Sequence, residues 1–385
     1  MKATAMVVAK GAQRCTHLTH AAGFLAVALE GTASNATVDT WYVGIFHIGP
    51  EWETKSEMFR VVYQRSAELD PAALPVSLSI SADGVLAVGL GRGGVRLYAL
   101  GIPIGPKALT VHELDNVQLS GGTTLFAKWI NRANSLRALV TRTAYSSHER
   151  LMVHGHLAGS GGRVAHELLK TPAGAITHVA TSVPGNIAIH ENVGQILHVL
   201  MIQEEDQEFI HKTIQLMQLE KDRATTVNDQ QGVNWNGQTF TTSLAIGDEL
   251  VAVGLSPAQV GGPPGVVEAF CLETGAMVAR RLTPGCIPTA LCTSGSRVLL
   301  ATSLTAASFG SHLCHETPDT ENLSGIYAFT TNNPHNFTVS KGGSQHSYWP
   351  QGTLHMDERS WCYARTQQTD SGVVTVIQHA SVPPR

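Results

Sequence analysis

Apolar residues in this chain either alternate with polar ones or run together in stretches of five or six, and they seldom recur at the spacing of a helix. Residues 76–100 show the pattern most clearly. Val76, Leu78 and Ile80 alternate along a first strand, and Asp83-Gly84 supplies a strong two-residue hairpin signal. Residues 85–88 are wholly apolar, and a glycine-rich turn at 91–94 leads into a third strand, Val95-Arg96-Leu97-Tyr98. The same order recurs along the chain. First strands are expected near Cys15, Val76, Thr123, Ala175, Thr239, Ile287 and Gln351. Apolar second strands follow at 24–29, 136–140, 186–190, 250–255, 298–302 and 361–365. Third strands tend to begin at a glycine, at 94–98, 194–199, 265–270, 325–329 and 372–377, with 42–46 as a variant. Seven units fit, at an irregular spacing of roughly 40 to 65 residues, so several connections must be long.

This strand grammar resembles a divergent, WD-repeat-like seven-bladed β-propeller, and the resemblance covers nearly the whole chain. It is carried by architecture: no third strand ends in Trp-Asp, and the Gly155-His156 pair follows a third strand instead of preceding a first one. The expected fold is all-β, a single propeller domain spanning residues 1–385. The last unit has no room for a fourth strand after 372–377, while residues 2–8 form a spare apolar strand. Pairing that strand with the last blade would close the ring and cover its exposed edge.

Residues 204–221 admit two readings. Ile210, Ile214 and Met217 keep helical spacing, with acidic residues first and Lys221 last, as the helix dipole prefers. Ile210, Lys212, Ile214 and Leu216 alternate instead as a strand. The strand is favoured because the fourth blade otherwise lacks an outer member.

Composition narrows the function. The charged fraction is 15% against 43% hydrophobic, which suits many buried strands. A net charge of −4 without a basic stripe gives no indication of direct nucleic-acid binding. No apolar run approaches the roughly 20 residues of a membrane span, and the N-terminus lacks a signal-peptide core, so no membrane insertion is expected. The 6 cysteines have no framework spacing, and an intracellular setting, cytoplasmic or nuclear, is expected. The sequons at Asn35, Asn322 and Asn336 would matter only in a secreted protein.

In the WD-repeat family, second-to-third and blade-to-blade connections open on one face. Insertions at 31–39, 143–149, 256–264, 304–323, 66–75 and 220–237 would all emerge there, opposite mostly short turns. Such loops, held by a rigid scaffold, are natural binding elements. Trp235 and Asn234 in the 220–237 insertion, His312 and His315 in the longest insertion, and Arg92 in the 91–94 turn are the candidate partner contacts.

Enzymatic chemistry has weaker support. His312, Cys314, His315 and Glu316 form the one local cluster with metal-ligand chemistry, but their spacing matches no zinc pattern, and no metal or other cofactor is expected. His17, His20, His178 and His355 fall on first strands and could face a central channel, yet those strands offer almost no carboxylate to work with them. Residues 89–94 are rich in glycine but lead into a strand, without the helix N-terminus that cradles phosphate. What the resemblance implies is a non-catalytic scaffold that binds other protein subunits in a multiprotein complex. The alternative is a channel-centred propeller hydrolase or metal-dependent enzyme.

Overall fold

The computed structural model describes residues 4–10, 14–31, 40–48, 59–64, 74–101, 110–114, 117, 121–131, 137–155, 165–182, 184–191, 196–202, 209–215, 239–257, 265–283, 286–304, 325–331, 333–341, 354–356, 360–369 and 372–381. They form seven four-stranded sheets, and the chain is an all-β, seven-bladed β-propeller, WD-repeat-like in its blade order. After β1 (Thr4–Lys10), the first blade is β2 (Arg14–Ala21), β3 (Phe24–Gly31), β4 (Thr40–His47) and β5 (Phe59–Gln64). The second is β6 (Pro75–Ile80), β7 (Val85–Leu90), β8 (Gly94–Gly101) and β9 (Thr110–Glu113). The third comprises β10 (Thr123–Asn131), β11 (Arg137–Ala144), β12 (His148–His154) and β13 (Ala165–Pro172). The fourth comprises β14 (Ile176–Thr181), β15 (Ile187–Glu191), β16 (Ile196–Ile202) and β17 (Phe209–Gln215). β18 (Thr239–Ile246), β19 (Leu250–Pro257), β20 (Gly265–Cys271) and β21 (Met277–Thr283) make the fifth. β22 (Cys286–Ser294), β23 (Arg297–Leu304), β24 (Gly325–Thr330) and β25 (Asn333–Lys341) make the sixth. The last holds β26 (Leu354–Met356), β27 (Ser360–Thr369) and β28 (Gly372–Ser381), with β1 as its fourth strand.

β1 pairs antiparallel with β28, from Thr4 opposite His379 to Lys10 opposite Val374. The N-terminal strand is therefore the outer strand of the last blade. β17 also appears as a strand, in register with β16 from Ile196–Gln215 to Ile202–Phe209. Cross-strand pairing thus overrides the helical spacing seen in that segment.

The chain divides into two compact units. One holds blades one, two, three and nearly all of seven (residues 1–174, 352–355 and 359–385), the other blades four to six (175–351 and 356–358). Within each unit, the core lies between neighbouring blades. Phe24, Ala26, Ala28, Val43 and Ile45 of the first blade pack on Leu78, Ile80, Leu86, Val88 and Tyr98 of the second. In the other unit, Ala188, Leu197 and Val199 of the fourth blade meet Leu244, Val251, Val253 and Phe270 of the fifth. Such a blade is apolar on both faces, which is why second strands read as continuous runs instead of alternating. Every residue from Phe24 to Leu29 is no more than 1% exposed.

Turns between first and second strands reuse a few solutions. Ser81 Oγ accepts from the Val85 amide at 2.9 Å, and Gly84 adopts φ +80°, so the connection is a three-residue turn, one longer than the two-residue hairpin expected at Asp83-Gly84. Ser182, Gly185 and Asn186 repeat the motif. Ala22 and Gly23, at φ +53° and +77°, make the compact turn of the first blade.

A bulge near the start of the first strand recurs in the first six blades, falling at Thr16, Val76, Leu125, Thr177, Thr242 and Thr289. At three of these the hydroxyl donates to a carbonyl of the second strand. Thr16 reaches Ala28 (3.4 Å), Thr177 reaches His190 (3.3 Å) and Thr289 reaches Ala301 (3.5 Å). A bulge bends its strand and increases the local twist.

Candidate functional site

In an antiparallel blade, the first-to-second and third-to-fourth connections leave one end, while the second-to-third and blade-to-blade connections leave the other. The three longest gaps between described strands lie at the latter end, Gln215 to Thr239, Leu304 to Gly325 and Lys341 to Leu354, and those from Gln64 to Pro75 and from Gly31 to Thr40 leave there too. The bias is weaker than the sequence suggests. Ala144 and His148 are joined by a tight turn closed by the Tyr145 amide on the His148 carbonyl (2.8 Å), so 143–149 is no insertion. The third-to-fourth connections from His47 to Phe59 and from His154 to Ala165, at the opposite end, are long.

Of the candidate contacts, Arg92 is exposed in a single 3-10 turn, Gly91–Gly93, at the end where the longest connections leave. Asn234, Trp235, His312 and His315, together with Cys314 and Glu316, lie outside the described residues.

Polar groups on the first strands are spent largely on joining blades. Ser77 and Ser79 Oγ accept the amides of Ala127 (2.9 Å) and Trp129 (3.0 Å) on the next blade. Lys128 Nζ donates to the Leu78 carbonyl at 2.6 Å. In the other unit, Thr242 and Ser243 both donate to the Pro288 carbonyl (2.6 and 2.9 Å). The buried His190 ring, on a second strand, bonds Thr177 of its own blade through Nδ1 and Thr241 of the next through Nε2 (3.2 Å). Two of these hydroxyls, those of Ser77 and Ser243, stand opposite glycines. A Cβ on Gly89 would sit 2.4 Å from Ser77 Oγ, and one on Gly254 2.2 Å from Ser243 Oγ.

The first-strand histidines divide between the units. His20 and His355 meet edge to face, with ring centroids 6.0 Å apart. His17 is half-buried, and its Nδ1 is buried with no hydrogen-bond partner among the described residues. Burial, then the positive charge of Lys128, lowers its pKa to about 4, so the ring is neutral at pH 7. His178 stands on β14 in the other unit. The seven first strands carry no aspartate or glutamate. Among the described residues, no group of three or more histidine, cysteine, aspartate or glutamate side chains is placed to hold a metal ion. No helix among them is long and apolar enough to cross a membrane.

Two ion pairs escaped the sequence reading because their partners lie on different strands. Glu268 on β20 is fully buried and accepts from Arg280 Nε on β21 at 3.1 Å. Glu149 on β12, also buried, takes Arg142 Nε and the Gly174 amide, each at 2.8 Å. On the surface, Asp83 joins Ser81 to Arg137 of the next blade. Its burial opposes ionisation, but the hydrogen bonds from Arg137 and Ser81 and the Arg137 charge outweigh that and hold the carboxyl below its ordinary value.

No protein-family model and no curated relative matches the chain. Solved structures share its fold at low identity. The polysaccharide lyase Uly1 aligns with a TM-score of 0.54 at 9% identity, over 98% of this chain and 92% of its own. A chain of the mitotic checkpoint complex aligns with a TM-score of 0.50 at 13% identity, over 99% and 94%. Sqt1 of Chaetomium thermophilum, bound to the N-terminus of ribosomal protein L10, gives 0.48 at 14% identity, over 96% and 97%. At such identities the likeness is one of fold, and the fold hosts both catalytic and assembly proteins.

Proposed function

We propose that the chain is a non-catalytic propeller scaffold that holds protein partners in a multiprotein assembly through the long connections at one end of its blades. The observation that carries this reading is how polar groups are distributed. First-strand hydroxyls and the Lys128 ammonium are used in blade-to-blade hydrogen bonds, while the longest connections, which support no described strand, leave a single end. A hydrolytic centre on the first strands would need carboxylates that those strands lack. Cys15, Cys271, Cys292 and Cys362 form no disulfide, which is in keeping with an intracellular setting.

The experiment is affinity purification of the tagged protein from its own cells, followed by binding of the recovered partner to two variants. Shortening residues 305–323 to a tight turn, or changing Trp235→Ala, is expected to weaken binding with the propeller still folded. Loss of an aromatic anchor costs about 2 kcal/mol, roughly thirtyfold in affinity. Full binding by both variants, with hydrogen-exchange protection at the opposite blade ends, would overturn the reading.

A further inference from the structure

On one face of the fourth blade, three titratable side chains from three successive strands line up. His198 of β16 and His211 of β17 are diagonal cross-strand neighbours, since His198 lies opposite Thr213 and His211 opposite Leu200. His198 Nδ1 and His211 Nε2 are 2.8 Å apart, with ring centroids separated by 5.0 Å. Behind them, Glu191 at the end of β15 places Oε2 3.5 Å from His198 Nε2. His211 is exposed and His198 largely covered, its side chain 14% accessible. The neighbouring cation, Lys212, is turned away and bonds the carbonyls of Leu272 and Glu273 on the fifth blade.

We propose that His198 and His211 form a two-imidazole site for a borderline divalent cation of the copper, nickel and zinc group. Two ring nitrogens already converge on one point, now shared by a single proton. Metal–nitrogen bonds of about 2.0–2.1 Å at a tetrahedral angle require the nitrogens to stand roughly 3.3 Å apart, so the rings need part by only about half an ångström. His211 sits on the outer strand of its blade, where a small ring rotation meets little resistance. Glu191 has the place of the carboxylate that backs a metal-bound histidine: it favours the proton on Nε2 of His198 and leaves the Nδ1 lone pair toward the site. When a cation enters, the proton now between the rings moves to Nδ1 of His211, and each ring binds through its lone pair. Two protein nitrogens leave the remaining coordination positions to water. The site should therefore exchange its metal readily and ignore magnesium and calcium, which prefer oxygen ligands.

The test is a titration of the full chain at pH 7.5 with Cu2+, Ni2+ and Zn2+ by calorimetry, counting bound cations per chain, with Mg2+ as control. The wild type is expected to bind one cation more than His211→Ala, with Cu2+ tightest of the three. Glu191→Gln should keep the site but weaken it about tenfold. His211→Ala removes an exposed side chain, and an unchanged metal-free melting temperature will show that it folds. Equal stoichiometry in wild type and His211→Ala would overturn the proposal, as would a wild type that binds none of the three cations below millimolar concentration.

Discussion

At the scale of single residues, ionisation is set by what surrounds each group. His17 has an ordinary pKa near 6.5 when the chain is unfolded and about 4 when folded, so the unfolded chain binds the extra proton between those values. Stability from this residue is fully present above pH 6.5, falls as pH drops toward 4 and levels off below. The slope is about 1.4 kcal/mol per pH unit for one proton. Denaturant melts between pH 7 and 4 should show it, and His17→Gln should flatten it. The thiols divide in the same way. Burial pushes Cys15 well above the ordinary range, while hydrogen bonds from the Thr274 side chain and backbone lower Cys271. Iodoacetamide labelling of the native protein, read by mass spectrometry, should therefore modify Cys271 long before Cys15.

At the scale of elements, strands are held to one another by buried polar pairs as well as by apolar packing. Arg280→Met would leave the Glu268 carboxylate on β20 buried without its partner on β21, at a cost of about 3 kcal/mol or more. Replacing both, as Glu268→Leu with Arg280→Met, should recover most of that loss, and urea melts of the three variants will measure it. The β1 strand makes a second case. Deleting residues 1–10 bares the β28 edge along the whole register from His379 to Val374, so a markedly lower melting temperature or aggregation is expected. A truncated monomer with an unchanged melting temperature would mean that the pairing contributes little.

At the scale of the whole molecule, the expectation of one domain over residues 1–385 is a statement about cooperativity. Calorimetry should give one transition whose calorimetric and van't Hoff enthalpies agree. Two resolved transitions would mean that the two compact units unfold separately. The scaffold reading belongs to this scale too, because it depends on many short strands, stiffened by hydroxyl bonds between blades, carrying long connections on their ends.

The strand order and the seven units were legible from the chain because each rests on local chemistry. Period-two alternation, Asx-Gly turns and unbroken apolar runs report strands, turns and two-sided burial without reference to distant residues. Cross-strand and cross-blade partnerships were not legible. Glu268 and Arg280 are 12 residues apart, His198 and His211 13, and Ser77 and Ala127 50; only register and blade packing bring each pair together. The 209–215 segment shows the same division. Its residues alone are compatible with helix or strand, and pairing along the full length of β16 selects the strand, because it satisfies the backbone of the outer edge while placing His211 beside His198.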